Sequence, residues 1–541
     1  MAGCSCTWAT EAGAGTLGGC TSHNAMITVY PHESDWDHIA DATGDSSWRA
    51  ANMRKYFQVL ERCEYLGIGQ SKDGHGFKGW LNVNQTDPKL GLGDFKILQI
   101  VSAAAKAFAD SIGENVVSTF FDDIGQQFGL LRRDLNAAGS DRDTTEGLFS
   151  IPLATRGGKR IGPREYILST IASGHPLTLM THALASRVIF AKDPDDKGNL
   201  RATGVEILQG AHLYRADPGS KDASPQKKQV VTASREVILA CGAFNTPQLL
   251  KLSGVGPKDE LTGLGIDVKV ELPGVGTNLQ DRYEVGVVSQ TGDDFALIDG
   301  CNFGATESDR CLDDWRNGKG VYTSNGGVVG IVKRSSPDLD KPDLFVFGLP
   351  GHFKGYFPGY SKNVEADHHH FTWAVLKAHT GNTAGTVTLR STDPRDTPDI
   401  RFRYFDEGTP EAAQADLDAV VAGVKFARSI GSTTQSKMAP FGSFDELLPG
   451  GDVSSDDQIR EFVKNEAWGH HASCTCKIGG DDDPMAVLDS NFRVRKTSGL
   501  RVVDASVFPK IPGFFIVVPV YMVSEKATDA ILQDLGETRR F

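Results

Sequence analysis

A chain of 541 residues is long enough to form about two to four structural units around a large buried interior. Its formal net charge of −13 argues against nucleic acid as a partner, because a phosphate-binding surface needs an excess of lysine and arginine. No run of about 18 apolar residues is present, and the first residues lack the basic start and apolar core of a signal peptide, so we expect no membrane partner and leave the localisation unassigned.

The nine cysteines are sparse and unevenly spaced. Cys4, Cys6 and Cys20 lie near the start, and Cys474 forms a C-x-C pair with Cys476, but no second pair stands at the spacing of zinc ligands. A disulfide scaffold needs a much higher density of cysteines. We therefore interpret each cysteine as a buried or inert thiol and predict no metal site.

The first feature along the chain is a glycine-bearing loop, GGCTSHNAM, at residues 18–26. The adjacent Gly18 and Gly19 allow backbone conformations and close approaches that a side chain would prevent. Such a pair is typical of a plain turn, which is the simpler interpretation of the pair alone, and also of a loop that lies against a flat ligand. His23 and Asn24 stand at the tip of this loop.

Helices are predicted next, and strands follow. The stretches SWRAANMRKYFQVLERCEYLG and FKILQIVSAAAKAFADSIG carry apolar residues at helical spacing. From about residue 150 onward, short alternating segments predict strands. The apolar run from Val237 to Ala240 is typical of a strand buried on both faces, and a helix follows it, which predicts an α/β sheet. Residues 283–467 mix strands with the helix DLDAVVAGVKFARSI and form a separate unit.

Four stretches, in order along the chain, resemble the glucose–methanol–choline (GMC) family of FAD-dependent alcohol oxidoreductases. The loop in GTLGGCTSHNAM is similar to the first family signature, and GAFNTPQLLKLSGVG matches the second. AGTVTLRSTDPRDTPDIRFRYF resembles a strand of the substrate domain. The last stretch is HHASCTCKIGGDDDPMAVLDSNFRVRKTSGLRVVDASVFP, with YMVSEKATDAIL after it.

The resemblance implies a two-part α/β fold. An incomplete, discontinuous FAD-binding domain with a Rossmann-like parallel sheet comprises residues 1–45, 155–282 and 468–541. Helical segments at 46–154 pack on both parts. An α+β substrate-binding domain at 283–467 places a sheet over the flavin.

The resemblance also implies which loop residues meet the flavin ring. Gly18 and Gly19 lie along the ring, and Asn24 lies near its reactive edge. His23 corresponds to the histidine that choline-oxidising members bond covalently to the 8-methyl carbon of the flavin, which a neutral imidazole can attack. The alternative is that His23 only hydrogen-bonds a backbone group.

Five further cofactor residues follow from the resemblance. Ala185 lies on the strand that meets the adenine, and Gly242 belongs to the turn after the central strand. Asp504 and Ala505 lie beside the pyrophosphate and the flavin. Phe515 approaches the pyrimidine end of the ring.

His471 is the residue that the resemblance assigns to catalysis. A side chain with a pKa near about 6.5 can remove the hydroxyl proton of an alcohol as hydride leaves for the flavin. Without the resemblance, one histidine of a His-His pair is more often structural, and His470 keeps that interpretation. The second active-site residue of the family, a His or Asn, corresponds here to Phe515, which cannot exchange a proton. His470 or Asn325 are the alternative polar partners.

A larger departure is the absence, before Gly18, of the G-x-G-x-x-G turn that holds the ADP half of FAD in the family. The 17 residues before Gly18 are fewer than the roughly 30 that a βαβ unit takes. Three explanations stay open: the sequence is incomplete or truncated, a second chain supplies the ADP-binding segment, or the protein has lost its flavin. We expect the loss of that strand to expose the edge of the Val237 strand.

The expected function is oxidation of a primary or secondary alcohol to an aldehyde or ketone, with FAD as the cofactor and a small-molecule alcohol as the partner. A truncated or flavin-free remnant without catalysis is the alternative, and a flavin-containing hydroxynitrile lyase is another. The aromatic stretch LFVFGLPGHFKGYF favours an apolar or aromatic alcohol over a sugar. Oxidase and dehydrogenase are not distinguished by any motif.

Overall fold

The structure is a computed structural model that describes residues 15–67, 72–87, 89–113, 133–366, 368–405, 409–439 and 442–537. It is a mixed α/β fold, as the sequence predicts. Its α-helices are Glu33–Thr43, Ala50–Leu60, Lys89–Leu92, Phe95–Ser111, Pro163–Ala172, Gly242–Leu252, Lys258–Gly263, Arg310–Arg316, Tyr360–Ala366, Pro410–Met438, Asp456–Glu466 and Val517–Asp534.

The largest sheet has six antiparallel strands. Their spatial order is Phe444–Leu448, Tyr283–Thr291, His370–Lys377, Leu344–Pro350, Val329–Lys333 and Gly147–Phe149. The central strand His370–Lys377 is buried along its whole length. This sheet, called here the large sheet, forms one of the cores of the molecule with two helices.

Both helices of this core are set by local sequence. Pro410–Met438 begins with a proline at its first turn, where no N–H is needed, and the Thr409 hydroxyl accepts from the N–H of Ala412. Phe95–Ser111 begins after Asp94, whose carboxylate accepts from Lys96 and Ile97. Their apolar faces pack with the large sheet, which fixes the sheet against the helices.

A second core contains a short parallel pair of strands. Val237–Leu239 pairs with Leu500–Val502, and the helix Gly242–Leu252 starts just beyond the end of the first strand. The helices Ala50–Leu60 and Val517–Asp534 pack on the same core. Beside it, Leu200–Gln209 pairs with Ala183–Phe190, Lys227–Thr232 and Thr497–Ser498.

The remaining strands form short pairs and one small sheet. They are Glu61–Cys63, Leu81–Gln85 and Pro152–Leu153; Thr155–Arg156 and Lys159–Arg160; Val255–Gly256 and Val270–Glu271; and Thr386–Thr388 and Asp399–Arg401. The predicted domain boundaries stay a prediction.

The prediction that Val237 to Ala240 is buried on both faces was wrong. Val237 and Leu239 are buried, but Ile238 between them is 47% exposed, and the strand ends at Leu239. Within the described residues, Leu500–Val502 is the one strand that pairs with it. A strand covered on one face alternates between buried and exposed side chains, which is the pattern seen here.

The interpretation of every cysteine as a thiol was also wrong. Cys301 and Cys311 form a disulfide with a Cα–Cα distance of 5.1 Å, inside the range that the bond requires. The ten-residue separation closes a small loop before the helix Arg310–Arg316. Cys63, Cys474 and Cys476 are buried free thiols.

Within the described residues, every helix is too short or too polar to span a membrane.

A buried ion-pair cluster joins the strand Glu61–Cys63 to the loop before Leu81–Gln85. The His75 ring lies between two carboxylates: its Nδ1 is 3.0 Å from Glu61 Oε2, and its Nε2 is 3.0 Å from Asp134 Oδ2. The Tyr65 hydroxyl donates to the other oxygen of Asp134 at 2.8 Å. Burial opposes the charge on His75, but bonds with Asp134, Cys63 and Glu61 raise the pKa of this imidazole to about 11. The cluster is therefore held together by a charged imidazole.

Replacing His75 by Asn should destabilise the protein by about 3–5 kcal/mol, because two carboxylates lose the charge between them. Denaturant unfolding at pH 7 measures this loss. His212→Asn is the matched control, since the His212–Asp217 pair is exposed and should change stability by less than about 1 kcal/mol. Because the pKa of His75 is raised on folding, its contribution is complete below pH about 6.5 and is lost as the pH rises through about 11. Equal effects of the two substitutions would contradict this account.

Candidate active site

Two segments that are distant in sequence pair with each other and form the base of the candidate site. The N–H of Gln280 donates to the carbonyl of Ser473, and the N–H of Ser473 donates back to Gln280. In the same way, the N–H of Glu284 donates to the carbonyl of Trp468 and the N–H of Trp468 donates to the carbonyl of Glu284, at 2.9 Å each. This paired segment, residues 280–284 with 468–473, holds His470 and His471 against the edge of the large sheet.

Asp281 fastens the backbone of His471. One carboxylate oxygen accepts from the N–H of His471 at 2.7 Å and from the N–H of Arg282 at 2.8 Å, and the other accepts from the Tyr404 hydroxyl at 3.0 Å. Burial raises the pKa of Asp281 to about 6, and the two backbone bonds oppose that shift. Gly469 is required here, because a Cβ at that position would collide with Tyr404 and with Asp281.

His471, His470 and Glu284 face one another. The Nδ1 atoms of His471 and His470 lie 3.7 Å and 3.6 Å from Glu284 Oε1, and the two imidazole rings are 4.2 Å apart. Glu284 is fully buried, and burial together with the Asp281 charge raises its pKa well above the usual value. Burial, His470 and Arg282 lower the pKa of His471 well below its usual value. Burial and, to a smaller extent, the charge of Arg282 lower the pKa of His470 to about 3. Both imidazoles are therefore neutral at pH 7.

The chain from Pro509 to Phe515 is held beside the paired segment. Gln280 accepts from the N–H of Ile511 and donates to the carbonyl of Pro509, while the buried guanidinium of Arg282 donates to the carbonyl of Pro512. Gly513 has a φ of +60°, and its N–H donates to the Asp35 carboxylate at 2.7 Å. These bonds direct Phe515 toward His471.

Phe515 connects the histidine to the large sheet. Its ring lies 5.8 Å from the His471 ring and 5.0 Å from that of Phe345, edge to face in both cases. Phe345 belongs to the strand Leu344–Pro350. Ile27, just after the glycine-bearing loop, packs in the same apolar cluster. The structure therefore brings the end of that loop, Phe515 and His471 into one neighbourhood.

The glycine-bearing loop is a tight turn that Arg160 holds in place. Gly18 and Gly19 have φ angles of +90° and +56°, and a 3-10 turn covers Gly19–Ser22. Arg160 donates to the carbonyl and the side-chain oxygen of Asn24 at 2.7 Å each. His23 is exposed, and desolvation by the loop and the charge of Arg160 lower its pKa, so its imidazole is neutral at pH 7.

Asp504, Ala505 and Gly242 meet at the carboxyl ends of the parallel strands. Asp504 accepts from the N–H of Gly242 at 3.0 Å and from the Thr246 hydroxyl at 2.6 Å. The carbonyl of Ala505 accepts from the N–H of Cys474 at 3.1 Å. Gly242 has a φ of +81°, and no described atom lies within 4 Å of where its Cβ would be.

The other predicted residues are placed differently. Ala185 lies at a bulge on the strand Ala183–Phe190 and packs against the second core. Asn325, considered as a partner for His471, donates instead to the carbonyl of Ala25. Glu284, Asp281 and Arg282 were not predicted, although two acids and a base at the start of the otherwise apolar sequence DRYEVGVV were a signal for them.

The described residues fit the ring half of FAD. The open side of Gly242 and the left-handed Gly18–Gly19 turn leave backbone to which a flat group can come close. Gly242 also lies where two parallel strands end, the usual position of a cofactor in an open α/β sheet. The predicted absence of the ADP-binding turn stays a prediction.

Comparison with models of known protein families shows which family the chain belongs to. Two family models, both described as GMC oxidoreductase, match residues 3–284 and 381–524. The chain belongs to the GMC oxidoreductase family. The resemblance stated from the sequence is thereby confirmed.

Named relatives of this GMC oxidoreductase are similar over most of their length. It is 30% identical to an "Oxygen-dependent choline dehydrogenase" of Stenotrophomonas maltophilia over 518 residues, which cover 95% of this chain and 80% of the relative. A protein of the same name from Pseudomonas fluorescens is 31% identical over 523 residues, covering 95% and 79% of the two chains.

Solved structures share the fold at lower sequence identity. Pyridoxine 4-oxidase from Mesorbium loti has a TM-score of 0.69 at 21% identity, covering 98% of this chain and 88% of that one. Formate oxidase has a TM-score of 0.74 at 20% identity, covering 96% and 84%. The predicted α/β fold class is confirmed by these neighbours.

Asp281→Asn should weaken the anchor of His471. We expect a loss of about 1.5–3 kcal/mol in unfolding free energy, because the N–H of His471 loses a charged acceptor. Since the family resemblance implies that His471 is the base, we also expect kcat to fall by up to about 10²-fold when its backbone is displaced. Tyr404→Phe is the matched control, since it removes one hydrogen bond and leaves the carboxylate on His471. Steady-state kinetics with thermal unfolding checks both, and a larger kcat loss in Tyr404→Phe than in Asp281→Asn would contradict the role of Asp281.

Proposed function

We propose that this GMC oxidoreductase oxidises a primary or secondary alcohol to an aldehyde or ketone with His471 as the base. The observation that carries the proposal is the position of His471, which is fixed by Asp281 and faces Phe515 beside the large sheet. FAD, when bound, supplies the acceptor for the hydride. The ring of the cofactor would meet Gly18, Gly19 and Asn24, with Gly242, Asp504 and Ala505 near the carboxyl ends of the parallel strands.

His471 removes the proton of the alcohol hydroxyl in this proposal. The lowered pKa leaves its imidazole neutral at pH 7, which is the form that can accept a proton. Phe515 then acts as an apolar wall that excludes water and cannot share the proton. His470 remains the polar partner within reach, at 4.2 Å between ring centroids.

The substrate preference rests on the same wall. Phe345 and Phe347 of the large sheet contact Phe515, so the side of the site opposite His471 is aromatic. An apolar or aromatic alcohol fits such a wall better than a sugar does, because burying ring surface is favourable and unpaired hydroxyls are costly.

His471→Ala should lower kcat by about 10²- to 10⁴-fold and leave the flavin content unchanged, because only the proton acceptor is removed. Flavin absorbance and alcohol oxidation are measured on the same sample. His38→Ala, at an exposed helical position, should behave like the parent protein. Full activity in His471→Ala would refute the assignment.

His470→Asn should move the acid limb of the kcat/KM profile to higher pH. In the parent chain the limb lies well below pH about 6.5, because the pKa of His471 is lowered and the neutral form persists on acidification. Removing His470 relieves one cause of that lowering, so the pKa of His471 rises. The kcat/KM profile against pH is measured in chelator-treated buffer. A shift of its acid limb to lower pH in His470→Asn would contradict this expectation.

His23 is proposed as the covalent attachment point of the flavin, with its neutral imidazole as the nucleophile. The visible spectrum of acid-precipitated protein tests this: flavin should stay in the pellet of the parent chain and enter the supernatant in His23→Asn. Flavin that remains in the pellet of His23→Asn would contradict the link. A colourless, folded parent protein would favour the flavin-free alternative.

A further inference from the structure

Four side-chain atoms of Glu284, His470 and His471 are buried close together and lack a hydrogen-bond partner among the described residues. These atoms are Glu284 Oε1 and Oε2, His470 Nδ1 and His471 Nδ1, and within the described ranges none of them forms a hydrogen bond. Glu284 is fully buried and His471 is 7% exposed. An unpaired carboxyl group in such a position is costly, so the geometry calls for a group that bonds to all three side chains.

Two imidazoles and one carboxylate form a common ligand set for divalent transition metals. The ligand atoms of the three residues lie within 4.8 Å of one another, which permits one ion at about 2.0–2.2 Å from each after a small contraction. A quaternary ammonium group would balance the charge of an ionised Glu284, but it has no N–H and would leave both imidazole nitrogens unbonded. A metal ion satisfies all three side chains at once.

Two other groups of possible ligands in the described part of the chain contain shorter internal ion pairs. His379 Nε2 lies 2.8 Å from Asp35, and His75 is held in its charged form between Glu61 and Asp134. A protonated imidazole has no lone pair for a metal. The Nδ1 atoms of His470 and His471, in contrast, lie 3.6 Å and 3.7 Å from Glu284 Oε1 and form no hydrogen bond within the described ranges.

We propose that Glu284, His470 and His471 form a binding site for a divalent transition metal such as zinc. Coordination through Nδ1 takes the lone pair of His471 and leaves its other nitrogen as an N–H donor. A zinc-bound His471 can no longer accept the proton of an alcohol, so zinc should inhibit oxidation. Only this consequence rests on the proposed function; binding itself does not.

Zinc binding is measured directly on the purified, flavin-loaded, chelator-treated chain by titration with zinc chloride and by metal analysis after desalting. We expect one zinc per chain. Glu284→Gln and His470→Asn should each weaken binding by more than about tenfold, because losing a ligand costs at least as much as losing an outer-shell partner. Cys63→Ser, in the paired Glu61–Cys63–His75 group, is the matched control and should bind zinc like the parent protein.

Three results would overturn the proposal: no zinc in the parent chain, unchanged affinity in both ligand variants, or loss of zinc in Cys63→Ser. If Glu284→Gln does not fold, His470→Asn carries the same comparison. Tetramethylammonium binding that depends on Glu284, together with no zinc binding, would assign the carboxylate to an organic cation. Zinc binding is measured without turnover. The activity of His471→Ala, whether lost or retained, therefore tests the proposed function and not the zinc site.

Discussion

The pairing of residues 280–284 with residues 468–473 is the constraint on which the site depends. Residues 280–284 lead into the strand Tyr283–Thr291. Reciprocal N–H donors between Gln280 and Ser473 and between Glu284 and Trp468 join the two segments. Asp281 adds a charged acceptor for the N–H of His471. The loop that carries the two histidines is thereby hydrogen-bonded to the first residues of a strand of the large sheet.

Burial of charge is the electrostatic consequence of this pairing. Arg282 is fully buried and ties the segment to the carbonyl of Pro512, and burial lowers its pKa to about 10, opposed by Asp35 and Asp281. The positive charge and the low polarity of the surroundings keep His470 and His471 neutral. The same surroundings leave Glu284 without a hydrogen-bond partner among the described residues. Neutral imidazoles suit both a base and a metal ligand, so the proposed proton transfer and the proposed zinc binding would use the same ring of His471.

Much of the fold and part of the site were predictable because short motifs carry them. The amphipathic patterns before residue 112 predicted the helices Ala50–Leu60 and Phe95–Ser111, and the sequence after the Val237 run predicted a following helix, which is Gly242–Leu252. His471, Phe515 and Asp504 were assigned from the family resemblance, and their roles stay predictions. The structure places the ring of Phe515 5.8 Å from the ring of His471.

Other features depend on tertiary contacts that no local pattern encodes. Glu284 and Asp281 act through residues about 190 positions away, so their roles follow from the pairing of distant segments. Cys301 and Cys311 become partners only because the loop between them closes. Ile238 is apolar like its neighbours, and its exposure depends on which strands and helices surround it. Periodicity reports the preference of a segment, whereas burial is decided by what covers it.

A crystal structure of the flavin-loaded chain with a bound alcohol or analogue would test the central claim most directly. We expect the flavin ring to lie between the Gly18–Asn24 loop and Phe515, with a nitrogen of His471 about 3–3.5 Å from the alcohol oxygen. A flavin ring away from Phe515, or an alcohol oxygen beyond the reach of His471, would contradict the account.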